Sequence, residues 1–371
     1  MQKQKLVPEI RFKGFKEEWK NILINDIIFS LPYKKYVKSP SIGGSFPVIQ
    51  QGAQPICGFA NGYPFADYDD VVIFGDHTLS IYKPKCPFFV ASDGIRILKS
   101  KNDLPAEFLY RIIEKHLPLS HGYTRHFSIL KMKEAKISIT YNEQQKIGQF
   151  FSNLDSLIRS QELKLKKLNE VRQSLLSKML ALKNQKFPQI RFKGFEDEWN
   201  LDKVCNLFKI TRGEVLSQNQ ISEFQNEIYT YPVYSSQTLR NGLMGYYKEY
   251  LFENCITWTT DGANAGTVKF RNEKFYCTNV CGVLEQGILK PNSCIAELLN
   301  IVAPNYVTRA GNPKLMNSTM GEIMINYPNS TIESSKISTL FMSIDSLISS
   351  QELKLEKLNN IKQALLEKMF C

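Results

Sequence analysis

Two stretches of the chain carry the same long apolar seam. Steps of three and four residues from Ile158 pass through Gln161, Leu165, Leu168, Arg172, Leu175, Met179 and Leu182, apolar at six positions out of eight. A second copy passes through Ile348, Gln351, Leu355, Leu358, Lys362, Leu365 and Met369. Each is a heptad seam with two polar interruptions, flanked by a charged face such as Lys164, Lys166 and Lys167. From 142 to 183 there is no Pro, and Gly148 is the one candidate breaker; Phe187-Pro188 ends the element by removing an amide. The pattern predicts two helices of about 40 residues, each roughly 60 Å long at 1.5 Å per residue. Neither stripe can remain in water, and each finds a matching partner in the other copy. Antiparallel pairing would put one globular domain at each end of a rigid rod. The alternative is that each helix packs on its own domain.

Between the seams the pattern changes from period 3.6 to short β-rich runs broken by Gly, Pro and Asp. In the first insert these are DVVIF (70–74) and Ile81-Tyr82; in the second they are CITWTT (255–260), GTVKF (266–270) and 280–284. Helical pieces are expected at 104–116 and 293–301. The frame around the inserts is duplicated: PEIRFKGFKEEW (8–19) returns as PQIRFKGFEDEW (188–199), and Asp155–Leu180 returns as Asp345–Phe370 with 18 of 26 positions identical. The inserts, 21–141 and 201–331, show no such likeness. Two matched frames around two unmatched inserts describe a covalent pseudo-dimer that reads two different things. Phe12, Phe15, Trp19 and their copies Phe192, Phe195 and Trp199 read as core anchors. The expected fold class is α+β: two mixed domains, 1–141 and 188–331, joined through helices 142–187 and 332–371 that form a long antiparallel two-helix coiled coil with internal pseudo-two-fold symmetry.

Composition narrows the class. With 371 residues, 43% hydrophobic and 22% charged, the chain can bury two ordinary cores. It has no apolar run of membrane-spanning length and no signal-like start, so a cytoplasmic location is expected. Among eight cysteines only Cys277 and Cys281 are close, and no second pair completes a zinc site; they read as buried strand residues, and no metal is expected. The net charge of +11 favours a polyanionic partner. The excess lies in the first half: 20–141 holds 15 Lys and Arg against 10 Asp and Glu, whereas 200–331 holds 11 against 11. A nucleic acid on the second insert would therefore rest on oriented polar groups rather than bulk charge.

The order of elements resembles a known family. Asn142-Glu143-Gln144-Gln145-Lys146-Ile147, then LDSLI (154–158), QELKLKKL, LL-x-KM and RFKGF…W, is similar to the specificity subunits of type I restriction–modification systems, over essentially the whole chain. The second copy departs from it, with Ile332-Glu333-Ser334-Ser335-Lys336-Ile337 in place of the Gln-Gln element. The resemblance implies that each insert is a target recognition domain reading one half of a bipartite, asymmetric double-stranded DNA site. It implies that the helices set the spacer and dock two methyltransferase subunits, with restriction/translocase subunits in the full complex. It places S-adenosylmethionine, ATP and Mg in those partners and no cofactor in this chain.

Candidate readers follow from side-chain chemistry, since Gln and Asn suit adenine and Arg suits guanine. In the second insert YPVYSSQTLRNG offers Ser235, Ser236, Gln237, Arg240 and Asn241, and TTDGAN offers Thr259, Thr260, Asp261 and Asn264. An ordinary Asp-Gly turn is the alternative for that second loop. TRAGNPK adds Arg309, Asn312 and Lys314. In the first insert PVIQQG lies over PVYSSQ, giving Gln50 and Gln51; GDHT takes the place of TTDG, giving His77; and HGYTRH takes the place of TRAGNPK, giving Tyr123, Arg125 and His126. Lys34, Lys35 and Lys38 are expected to position phosphates. The chain has no methyltransferase Asn/Asp-Pro-Pro-Tyr/Phe element, Gly-rich cofactor loop, Walker loop or nuclease triad, so catalysis is expected to lie elsewhere. The rival class is a coiled-coil interaction scaffold whose inserts bind protein or other ligands.

Overall fold

The computed structural model describes residues 6–119, 125–182, 185–236 and 239–370. The chain divides into two compact units, Met1–Leu163 with Leu353–Cys371, and Lys164–Glu352. Each long helix therefore contributes one half to each unit. Among the described residues no helix is long and apolar enough to cross a membrane.

The two helices are Tyr141–Met179 and Thr331–Met369. The first ends at Met179 rather than near 183, so Leu182 lies beyond the seam and is 39% exposed. Gly148 does not break it. A Cβ there would come within 2.9 Å of Glu107 Cβ and of the Phe108 amide, so the glycine lets helix Ala106–Lys115 pack directly on the long helix. The equivalent Ser338 uses its hydroxyl to accept the Ser293 amide at 3.0 Å, where helix Ser293–Val302 begins. Sequence placed these two short helices within two residues of their observed ends.

In the first unit, Asp155 pairs with Lys362 and Phe151 packs on Phe370, so one helix number rises while the other falls. In the second, Arg172 pairs with Asp345. Antiparallel pairing thus occurs within each unit. The seam is graded along its length: Ile158, Met179, Ile348 and Met369 are buried, while Leu165, Leu168, Leu175, Leu355, Leu358 and Leu365 are half-buried. Met179 joins Trp199, Ile337 and Phe341 in the core of the second unit, and Met369 joins Trp19, Phe108 and Phe151 in that of the first. Both expected modes of burial therefore operate, with helix ends sunk in a domain core and helix packed on helix.

The charged interruptions of the seam, Arg172 and Lys362, are ion-pair positions. Lys362 reaches Glu114 at 2.8 Å and Asp155 at 2.9 Å, and Arg111, 1% exposed, pairs with both carboxylates. Arg172 reaches Glu297 at 2.6 Å and Asp345 at 2.5 Å; the hydrogen-bonded Asp345 carboxylate holds its guanidinium pKa above the usual value. A cation buried between helices needs such partners to offset desolvation.

The repeated RFKGF…W segment is a turn that docks on a helix end. The Ile10 amide bonds the Lys368 carbonyl at 3.0 Å, as the Ile190 amide bonds that of Lys178 at 2.9 Å. Arg11 forks onto Glu143, and Arg191 onto Glu333, with Nε–Oε1 distances of 2.6 Å in both. Trp19 and Trp199 are 2% and 5% exposed, and Phe12 and Phe192 pack against the cores. Phe15 and Phe195 instead lie under the ammonium groups of Lys146 and Lys336. A two-stranded ribbon then closes each domain, Lys20–Leu23 with Glu134–Ile137 and Asn200–Lys203 with Met324–Tyr327.

The inserts share a sheet plan despite their unlike sequences. In the second, six strands run in the order Phe208–Arg212, Cys281–Gln286, Phe252–Thr259, Val268–Cys277, Tyr231–Tyr234, Leu243–Tyr247. In the first, Ile28–Leu31, Ile95–Ser100, Val71–Gly75 and Ile81–Tyr82 form one sheet; Ile56–Ala60, Phe46–Ile49 and Phe89–Val90 form another. The long strand Val268–Cys277, which joins the halves of the second insert, has two short counterparts separated by Pro84 and Pro87. Proline cannot donate to a ladder, so the sheet divides there.

Candidate nucleic-acid interface

In both inserts the same three loops converge. In the second, the Leu315 amide bonds the Thr260 carbonyl at 2.8 Å, the Gly262 amide bonds Pro313, and the Thr260 amide bonds Val280. The loop of Thr259, Thr260 and Asp261 is thereby held against that of Asn312 and Lys314. Lys314 Nζ stands 3.5 Å from Asp261 Oδ1. Thr260 donates its hydroxyl to Val280 O and Asp261 Oδ2, and both Thr259 and Thr260 are buried. Arg309 and Asn312 are exposed. Asn264 donates to the Ser236 carbonyl at 3.2 Å, which brings in the third loop. There Ser235 accepts from Thr278, and Asn241 adopts φ of 55°, a left-handed turn that asparagine tolerates. Gln237 lies outside the described residues, as does the side chain of Arg240.

The first insert repeats this scaffold with other side chains. The Asp76 amide bonds Gly94 as Thr260 bonds Val280, and the His126 amide bonds the Asp76 carbonyl as Leu315 bonds Thr260. Val48 and Ile49 pair in parallel with Phe89 and Val90, as Val233 and Tyr234 pair with Tyr276 and Cys277, with a register shift after Val48 and after Val233. PVIQQG therefore does occupy the place of PVYSSQ. Gln50 donates to Gln54 O, and Gln51 accepts from the His77 amide at 3.2 Å. Arg125 is exposed; Tyr123 lies outside the described residues. His126 is fully buried with Nδ1 3.1 Å from the Asp76 carbonyl, so its ring is placed to hold the loop. Lys34 and Lys35 sit exposed on a single 3-10 turn, and Lys38 lies over the Phe89 ring, donating to Asn61 O.

Sequence reading missed two groups. Asp76 is 1% exposed and organises the first cluster: it pairs with Arg96 at 3.1 Å and accepts the Phe127 amide at 2.8 Å. The second group is Lys269 and Arg271, which share a strand face with Thr257. Thr257 pairs with Lys269, and Cys255 with Arg271. Alternation in KFR was the available signal. Arg271 stacks 3.6 Å from the Tyr234 ring centre and donates to Asn241 O at 2.9 Å, pinning that turn. Tyr234 donates to Glu273 at 2.6 Å, and burial raises its phenol pKa. Cys277 and Cys281 are buried under this face, where a mutual hydrogen bond and burial raise the Cys277 thiol pKa. Among the described residues no group of three His, Cys, Asp or Glu is placed to hold a metal ion.

Comparison with known proteins agrees with this arrangement. The family model of the type I restriction modification DNA specificity domain matches twice, over residues 16–171 and 196–362. A putative type I specificity subunit N-terminus of Mycoplasma pneumoniae is 39% identical over 142 residues, covering 37% of this chain and 73% of that protein. The type I restriction enzyme MpnII specificity subunit of the same organism is 35% identical over 144 residues, 38% of this chain and 42% of that protein. Several curated relatives are thus matched over about half their length or less. The crystal structure of the S subunit of a type I restriction-modification system from M. genitalium has the same fold, with a TM-score of 0.74 over 98% of this chain and 99% of that one at 14% identity. With both domain copies matched and the duplicated frame intact, this chain belongs to the type I restriction–modification DNA specificity family.

Proposed function

We propose that the chain is the DNA sequence-specificity subunit of a type I restriction–modification complex, each insert reading one half of a bipartite, asymmetric site. The single observation carrying this reading is the convergence of the same three loops in both inserts on matched backbone hydrogen bonds, with different side chains. A conserved scaffold with exchanged side chains is what two readers of two sequences require. The duplicated helices set the spacer and offer the same docking face twice, so two copies of a methyltransferase subunit bind. Restriction/translocase subunits complete the assembly. Methylation, ATP-driven translocation and cleavage, with S-adenosylmethionine, ATP and Mg, belong to those partners; this chain selects the site and works in the cytoplasm.

Binding of the full chain to duplex DNA tests this against an interaction scaffold. Affinity should fall by about 10³-fold or more between 50 and 200 mM salt if some six phosphates are contacted. A preferred duplex should hold its advantage over scrambled DNA throughout. Binding that ignores both salt and sequence would sink the proposal.

A further inference from the structure

One face of the second insert's sheet carries a polar pocket. It encloses about 190 Å³ and is lined by Ser235, Asn241, Thr257, Thr259, Asn264, Lys269 and Arg271, over Trp258 and Cys281. Among the described residues no carboxylate lines it, and two of the lining side chains, Lys269 and Arg271, are cationic. Among the described residues Lys269 makes no ion pair, so its ammonium is available to a ligand. Arg271 is fixed by the Tyr234 ring, the Asn241 carbonyl and Thr257 Oγ1, which shapes the pocket before anything enters. The floor is rigid strand and the roof is a turn tied to that strand. Such a site is organised in advance for a group rich in acceptors.

Among the described residues of the first insert, the matching face is apolar. Where Thr257 pairs with Lys269 and Val283, the matching register sets Ile73 against Tyr82 and Ile97. There Ile73, Ile95 and Val90 form an apolar cluster on which Tyr82 packs. Among the described residues the cationic lining thus belongs to the second reader, as expected of a feature that sets what that reader selects.

We propose that this pocket receives the acceptor edge of a guanine, making guanine a required base in the half-site of the second insert. In the major groove guanine presents N7 and O6, both acceptors, and Lys or Arg is its usual reader. Adenine adds a donor, and the exposed cytosine amine seeks a carboxylate, which the pocket lacks. This inference rests on the DNA-reading function proposed above. A backbone phosphate would satisfy the same donors, and the test separates the two.

The full chain, with its methyltransferase partners, is assayed on its cognate duplex and on duplexes carrying 7-deazaguanine at single positions of that half-site. One position should lose about tenfold or more in affinity, and Lys269→Met should abolish sensitivity at that position while the other half-site is still read. Insensitivity of the unaltered protein at every guanine, or a half-site without guanine, overturns the pocket's role and leaves half-site reading intact. A Lys269→Met variant that weakens cognate and scrambled DNA alike, with a salt slope shallower by about one, assigns the pocket to phosphate and overturns guanine. Absence of any sequence preference in the unaltered complex fails the functional reading itself, and the pocket with it. Because the analogue series uses the native chain, the result does not depend on the variant folding.

Discussion

Glu143→Ala should destabilise the first unit by about 3–5 kcal/mol, the range for removing one partner of a buried, hydrogen-bonded ion pair. The Glu143 side chain is fully buried, and its two oxygens collect four donors: Arg11 Nε at 2.6 Å, Arg11 Nη2 at 2.9 Å, the Trp19 indole at 3.2 Å and the Ser138 hydroxyl at 2.5 Å. One carboxylate thus ties the docking turn, the closing ribbon and the start of the long helix together. The second copy keeps the Arg191–Glu333 fork, but Pro328 replaces the serine and the buried Trp199 indole nitrogen has no hydrogen-bond partner among the described residues. Glu333→Ala should therefore cost less. Because a two-unit chain need not unfold in one step, amide hydrogen exchange is the suitable reading. Protection should fall more over residues 6–19 in the first variant than over 186–199 in the second. Equal losses, or none at residues 6–19, would show that the extra donors contribute nothing.

Exchanging residues 201–331 for the same segment of another family member should replace one half of the recognised sequence outright and leave the other half unchanged. The segment begins at the closing ribbon, where Leu201 pairs with Asn326, and ends at Thr331, the first residue of the second long helix. Its boundaries fall where the duplicated frame resumes, so the Arg191–Glu333 fork outside it is kept. The Cys294 thiol, inside the exchanged segment, is pushed up to about 12 by burial, so the graft must also refill that core site. Methylation of a plasmid library by the reconstituted complex reads the outcome. A change in both halves, or in neither, would contradict a division of labour between the inserts.

Much of the frame was legible in the sequence because its signals are local. Helix periodicity, the duplicated RFKGF turn and the absence of Pro between 142 and 183 depend on neighbours a few residues apart. The two short helices followed from the same evidence. What escaped is non-local. Arg111 satisfies Asp155 from a different helix, which no seam pattern could announce. The grading of the seam, buried at Ile158 and Met179 and half-open at Leu165 and Leu168, depends on where each domain core ends.

For the candidate site, the loops that converge were identified by aligning the inserts, and the backbone pairing of Asp76 with His126 and of Thr260 with Leu315 matches that alignment. Side-chain roles were less accessible. His126 looked like a contact residue from its basic neighbours, yet burial places its ring inside the loop scaffold. Lys269 was read only as part of the strand 266–270 and Arg271 fell just beyond it, because their common face is decided by pairing with Thr257 and Cys255. Composition cannot tell a strand's polar edge from the wall of a pocket; register can.

The most direct test of the central claim is a map of modified bases in the host genome with and without this gene, in cells that express the methyltransferase partner. Adenine methylation at one split, non-palindromic motif should be present with the gene and vanish without it. An unchanged map, with the partner present, would contradict the assignment of this chain as the subunit that selects the site.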